Sequence, residues 1–450
     1  MIISMIFLSG CASTDRVSGV AGVQSPDSIR IRLPQEPPGL SPRDTYGTLL
    51  FNFLYEGLMV KTPQGTIQPG LAREWRASPD GLIYDFWLRP GATFSNGKPV
   101  TAEDVRASLY PFLSAQGIKV EAYEPDLIRV TLPDAGRDLL SLLARPETAI
   151  VSWEPGGFPA GTGKYRVSEW LKGDMMVLLK VSADSGPSRL EIVFQPDDFM
   201  AIEGFKRGDF QLVVGLGPEG VNKAWKDNYL RNFLQPGKEK KITCLGFNLH
   251  QPPWNQLYER QALASLIDNS RFQALLPGSQ EVGGGPITGD ARAAIPKIPS
   301  SQAREILQRA LPPDKKITLS FRAGEEGELV ARELAGQLGE LGINVEISPL
   351  RSDVLGPAPT PRETSLFIDY FLPDNPEEFL FRLTAYPHPE YNALFNQLST
   401  ATSREQKEAI LASIENLVAR EVLVVPLYRK TELVLIQKGI DNLLHPYMPQ

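Results

Sequence analysis

Cysteine occurs twice and histidine three times in 450 residues, and this scarcity removes several site chemistries at once. A zinc site or a Ser-His-Asp triad needs an imidazole held by a second group. His250, His388 and His445 lie far apart, two precede proline, and none has a histidine partner at metal-ligand spacing. They are expected to be surface loop residues, with no metal and no cofactor. The chain also lacks a G-x-S-x-G elbow and a Walker phosphate loop. It lacks an excess of positive charge. Its 46 Lys and Arg against 53 Asp and Glu give a formal net charge of −7, which repels phosphate backbones and argues against nucleic acid as a partner. No stretch reaches the ~18 apolar residues needed to span a bilayer. Acids are plentiful, yet nothing along the sequence sets the fixed separation that glycoside hydrolysis requires, so they read as solvated surface.

What is present is the composition of a globular protein, 42% hydrophobic and 22% charged, in a chain long enough for two or three domains. The 38 Gly and 39 Pro imply many turns between short elements. Cys11 ends the sequence Leu8-Ser9-Gly10-Cys11 after an apolar stretch. The four residues resemble a bacterial lipobox, in which the cysteine is lipidated, although no Lys or Arg precedes the stretch. Residues 1–25 then read as signal, lipobox and polar tether. A buried N-terminal strand is the alternative. Cys244, among Ile242, Leu245 and Phe247, reads as a small core residue on a buried strand.

Alternation predicts strands over residues 29–33, 82–88, 189–195, 210–214, 317–321, 343–347 and 421–427. Residues 49–58 are apolar enough for a buried helix. Thr101 with Asp104 forms a capping-box pattern opening a helix through Ser108, and Ser403 with Gln406 forms another. A helix is predicted over 256–266. One over 328–341 presents Val330, Leu334, Leu338 and Leu341 on one face, with Gly342 where it would end. Strand–helix alternation across the second half argues for α/β layers. Residues 352–361 are the clearest loop. Gly215-x-Gly217-x-x-Gly220 follows a strand, as a dinucleotide fingerprint would, but Pro218 interrupts it and no acid closes the next strand. It reads as a glycine-rich turn.

A series of short motifs then recurs in fixed order: residues 33–42 (LPQEPPGLSP), 55–58 (YEGL), 68–75 (QPGLAREW), 78–81 (SPDG), 86–91 (FWLRPG), 94–97 (FSNG) and 99–105 (PVTAEDV). Downstream come 161–165 (GTGKY), Phe247-Asn248 through Pro253, 260–263 (RQAL), Ile267-Asp268 and 425–428 (VPLY). Order and spacing resemble the peptide and nickel class of ABC-transporter solute-binding proteins, family 5, over roughly residues 28–440. Most of these motifs are expected to shape turns and pack a lobe.

The resemblance implies an α/β, two-lobed periplasmic-binding-protein-like clamshell of class II with an extra subdomain. Lobe I would hold residues 26–241 plus 428–450, with 47–160 as the extra subdomain, and lobe II 242–427. It implies a non-enzymatic, extracytoplasmic, lipid-anchored monomer. Such a protein binds a peptide or similar small solute between hinged lobes and delivers it to ABC permease subunits. The alternatives are a hydrolase using the same cleft, or a sensor or adhesin lipoprotein. Peptide-binding members carry an acid that pairs with the ligand's ammonium. Here Leu372 falls at that position, with Asp369 and Asp374 as possible substitutes. By position, the resemblance places Glu36, Leu40, Thr162, Tyr165, Phe247, Asn248, Tyr370, Phe371 and Asp374 at the ligand, and the lipid on Cys11.

Overall fold

The structure is a computed structural model. It describes residues 27–440 apart from 43–48, 62–66, 135–138, 154–155, 184–185, 286, 288–292, 313, 323–324, 351–364, 372–379, 381–382, 384–387 and 402–403. Cys11, Leu372, Asp374 and Ser403 therefore lie outside the described residues.

Among the described residues, one sheet of eleven strands runs through the protein. It begins with the hairpin Tyr165–Leu171 and Met175–Lys180, then continues through Arg189–Phe194, Ser28–Leu33 and Leu212–Val213. Next come two long strands, Val424–Ile436 and Leu234–Phe247. The order ends with Leu366–Phe371, Lys316–Arg322 and Asn344–Leu350, and the eleventh strand, Ser279–Gln280, pairs with Val424–Ile436 off this path. Each half has a parallel kernel. Ser28–Leu33 lies parallel to both Arg189–Phe194 and Leu212–Val213, and Lys316–Arg322 lies parallel to both Asn344–Leu350 and Leu366–Phe371.

The two long strands join the halves. They pair antiparallel from Leu234↔Leu435 to Gly246↔Val424, with register shifts between Pro236 and Lys240 and between Thr243 and Cys244. At one end, Leu435 and Ile436 also pair with Val213 and Leu212. At the other, residues from Ile242 to Phe247 pair with Phe371 to Leu366. We call them the crossing strands. Both faces of each end are buried. Val434 and Ile436 enter one core, and Leu433 and Leu435 enter another. Likewise Ile242 and Cys244 face one side while Leu245 and Phe247 face the other. Such double-sided burial is why these segments read as near-continuous apolar runs. Burial pushes the Cys244 thiol pKa up, so it stays protonated in the core.

Helices cover the sheet for local reasons. Glu325–Glu340 connects two parallel strands, and its Val330, Leu334 and Leu338 are at most 1% exposed. That apolar row recurs every fourth residue. Gly342, with φ of 82°, then turns the chain back into the sheet. A separate four-stranded antiparallel sheet, Ala72–Ala77, Ile83–Leu88, Leu127–Thr131 and Lys119–Glu124, carries its own core under the helix Ala102–Leu113. The Thr101–Asp104 capping box forms as read, and the helix runs five residues beyond Ser108, through Pro111.

Several motifs of the first 165 residues meet in one backbone knot. Gly70 N donates to Leu58 O and Leu71 N to Gly57 O, so YEGL lies on PGLA. Arg89 of FWLRPG donates to Gly70 O at 3.0 Å and to Glu56 Oε2 at 3.1 Å. Ser95 N of FSNG reaches Gly161 O, and Gly163 N reaches Leu54 O. A Cβ on Gly161 would meet Leu54 O at 1.9 Å, so no larger residue fits there. The knot also shortens the helix expected over 49–58. It stops at Leu54, because the backbone of residues 56–58 is already bonded across the knot.

A Cβ on Gly246 of the first crossing strand would lie 2.1 Å from the Phe367 ring. Gly246→Ala is therefore expected to destabilise the fold by about 1–3 kcal/mol, the usual range for overpacking. Denaturant unfolding of the variant against the parent measures it.

Candidate functional site

The site is built on a buried guanidinium. Arg32, on the strand Ser28–Leu33, is 0% exposed and uses its donors on the ends of the neighbouring elements. Its Nε donates to Gln195 O at 2.6 Å, and Nη1 donates to Val214 O at 3.0 Å and Gly215 O at 3.2 Å. Nη2 donates to Pro196 O at 3.1 Å and Asp198 Oδ1 at 2.7 Å. Burial pulls its pKa down from the usual arginine value, and the Asp198 carboxylate opposes that pull. The other Asp198 oxygen accepts from Gly217 N at 2.7 Å, at the start of the helix Pro218–Lys226. Asp198 thus fills the helix N-terminus where a dinucleotide fingerprint would seat a phosphate. Gly215, with φ of 66°, packs so closely that a Cβ would lie 2.7 Å from Pro34. Gly215 and Gly217 form a tight turn while Gly220 lies in the helix, and the strand expected over 210–214 shrinks to Leu212–Val213 beside the turn.

The turn forms one wall of a cavity of about 330 Å³. Leu33, Pro34, Gln35, Leu49, Val214, Gly215, Leu216 and Val221 line that wall. The crossing strands add Lys241, Lys430, Glu432 and Leu433 to the lining, and the helix Glu325–Glu340 adds Glu326. The volume is at the low end for small-molecule sites. Two lysines and two glutamates face an otherwise mainly apolar lining, so the cavity offers both signs of charge. Lys430, its side chain 11% exposed, pairs with Glu326 at 2.6 Å. Tyr428 donates its hydroxyl to the other Glu326 oxygen at 2.9 Å. Burial, reinforced by Glu326, holds the Tyr428 phenol well above its ordinary pKa, so it remains a neutral donor. Glu432 accepts from Gly215 N at 3.1 Å. The Lys241 ammonium lies 4.9 Å from the Tyr370 ring centroid, within cation–π range.

A second buried arginine fixes the entry into the second crossing strand. Arg260, 5% exposed, donates to Trp254 O at 2.8 Å and to the carbonyls of Glu421 and Val422. Val422 is held there at φ of 48°, a conformation a β-branched residue rarely adopts. The strand expected over 421–427 therefore begins only at Val424, after this turn. It then runs to Ile436, nine residues further than expected.

Of the nine residues placed at the ligand by position, Asp374 lies outside the described residues, and Glu36, Leu40, Thr162, Tyr165, Phe247, Asn248 and Tyr370 are not among the residues lining this cavity. Four of them are buried in the interior. Leu40 is 6% exposed in the first core, and the Tyr55 hydroxyl bonds its carbonyl. Tyr165 is 1% exposed, donates to Pro187 O at 2.9 Å, and sets its ring edge against Phe53. Phe247 is fully buried with its ring 5.4 Å from Trp254. Asn248, 2% exposed, accepts from His250 N. Glu36 is next in sequence to the lining residue Gln35, but it accepts from Trp170 Nε1 at 2.7 Å and Gly173 N at 3.0 Å, which ties it to the hairpin. The Thr162 hydroxyl oxygen is buried without a hydrogen-bond partner among the described residues. Tyr370 touches the lining through Lys241. The Phe371 backbone pairs with Ile242. Asp369 is opposite Cys244 in the sheet.

The sequence reading missed the four charged lining residues. Lys430 and Glu432 are two apart on one strand, so period-2 alternation of charge could have placed them on a common face. Lys241 was marked only as a boundary between the expected lobes, and Glu326 carried no local signal. Among the described residues, no group of three or more His, Cys, Asp or Glu could hold a metal, and no helix is long and apolar enough to cross a membrane.

Comparison with known proteins finds one family model, "Bacterial extracellular solute-binding proteins, family 5 Middle", that matches residues 66–391. The periplasmic murein peptide-binding protein MppA of Escherichia coli K12 is 24% identical over 519 residues, covering 98% of this chain and 94% of that one. The glutathione-binding protein GsiB of Salmonella paratyphi A is 24% identical over 341 residues, covering 68% and 66%. Among solved structures, NikA from Brucella suis in complex with Fe(III)-EDTA superposes with a TM-score of 0.79 at 18% identity, covering 94% and 97%.

Replacing Arg32 by Met would leave Asp198 and four carbonyls without their buried donor. A loss of about 3–5 kcal/mol is expected, typical of breaking a buried charged pair from one side. Thermal and urea unfolding should both show it.

Proposed function

The chain belongs to the bacterial extracellular solute-binding proteins, family 5, and we propose that it captures a small charged solute in the cavity beside the crossing strands and presents it to an ABC permease. The observation that carries this reading is the placement of the cavity. Its walls come from both sides of the crossing strands, and it holds Lys241, Lys430, Glu326 and Glu432 against an apolar floor. A solute of mixed charge, such as a short peptide or a compact metal chelate, suits that lining. Relatives named for murein peptide and glutathione, and a structural neighbour in complex with Fe(III)-EDTA, support the same range.

The mechanism is a population shift. A solute that touches both walls favours the closed arrangement by its differential affinity, and the permease reads the closed form. No bond is made or broken. The hinge is placed near Lys241-Ile242 and Leu427-Tyr428, beside the register shift at Thr243/Cys244, where the ladder is locally interrupted. Lobe I would then comprise residues 26–241 and 428–450, and lobe II 242–427. An extracytoplasmic monomer anchored through a lipid on Cys11 completes the proposal.

A thermal-shift screen against peptide, metal-chelate and sugar libraries should yield a solute that raises the melting temperature by mass action. The solute should be recovered intact after incubation. Lys241→Met and Glu432→Gln should each weaken its binding about tenfold, or roughly 1.4 kcal/mol, by isothermal titration. A solute that binds both variants as tightly as the parent, or that is recovered cleaved, would reject the reading.

A further inference from the structure

Glu326 sits on two donors at once. One carboxylate oxygen is 2.6 Å from Lys430 Nζ, and the other accepts from the Tyr428 hydroxyl at 2.9 Å. Tyr428 and Lys430 are alternate residues of one strand, so the pleat directs both to the same face. Two donors that divide the two oxygens of one carboxylate form a carboxylate-recognition unit, whichever molecule supplies the acid. Glu326 is the second residue of its helix, ahead of the first intrahelical hydrogen bonds, so its side chain can leave without breaking the helix. Its side chain is 33% exposed, against 11% for Lys430. The acid is therefore the removable partner and the lysine the fixed one. Glu326 and Lys430 both line the cavity.

We infer that Lys430 and Tyr428 form a carboxylate-binding subsite of the solute cavity, which Glu326 fills as a built-in stand-in until the carboxylate of a solute displaces it. The inference deepens the proposed function and rests on the cavity being the solute site. A neutral solute that pushed Glu326 aside would strand a largely buried ammonium, which is costly. A carboxylate-bearing solute exchanges one anion for another and leaves Lys430 paired. The exchange thus selects solutes with an acid group at this end. Glu326 also acts as an internal competitor, lowering apparent affinity by the fraction of molecules in which it occupies the subsite.

Glu326→Ala empties the subsite, and propionate, close to the side chain removed, is the probe. At about 100 mM, propionate is expected to raise the melting midpoint of E326A by roughly 1–2 °C through mass action. Propionamide, which lacks the charge, should not. The parent protein and the E326A variant carrying Lys430→Met in addition should not respond to propionate. Glu326→Ser carries the same test should E326A fold poorly. An unresponsive midpoint in the emptied variants overturns the inference, as does an equal shift in the parent or the double variant. Propionate reports on the subsite alone. A protein that passes this test yet binds no solute in the library screen keeps the subsite and loses the proposed function.

Discussion

Leu234–Phe247 and Val424–Ile436 must each satisfy both halves of the sheet at once. Their antiparallel ladder runs on from one half of the protein into the other. A strand buried on both faces has little freedom of register, because a slip of one residue would exchange the contents of two cores. The irregularities are therefore informative. The register shift between Pro236 and Lys240 falls between the end flanked by Leu212–Val213 and the end flanked by Leu366–Phe371. The polar stretch Arg429-Lys430-Thr431-Glu432 lies between the two apolar ends, and its Lys430 and Glu432 line the cavity. The ladder that joins the halves also supplies the charged wall.

Two buried guanidinium groups hold the approaches to that ladder. Arg32 gathers the ends of Arg189–Phe194 and Leu212–Val213 and the start of a helix, which sets the floor. Arg260 binds the turn before Val424 and sets where the second crossing strand begins. Each binds mostly main-chain carbonyls, so each positions loops that no regular ladder would fix. The planar fork of arginine, with five donors, suits this task better than the single ammonium of lysine.

The fold was legible wherever local pattern and tertiary burial agreed. The helix face of Val330, Leu334 and Leu338, the Thr101 cap, the alternation of residues 29–33 and the buried strand at Cys244 needed only periodicity or a side-chain oxygen. Element ends were less legible. The helix after Leu49 was cut short by backbone pairing with residues over ten positions away, and the strand before Ile436 crossed a polar stretch that resembled a loop. The site was the least legible part. Leu40, Tyr165 and Phe247 were assigned by analogy of position, but large apolar side chains on these elements are drawn into the cores. The charged lining comes from three separate segments, and sequence spacing alone does not reveal that Glu326 meets Lys430.

The knot of YEGL, PGLA, FWLRPG, FSNG and GTGKY leaves no room for a methyl group at Gly161 and commits its carbonyls to one another. The residues of these five motifs are thus spent on holding a frame together, and of the signature only Leu33, Pro34 and Gln35 reach the cavity wall. Lys241, Lys430, Glu326 and Glu432 belong to no signature. Two proteins could agree at every hallmark position and still carry unrelated cargo, because the hallmark describes the hand and says nothing of what it grips.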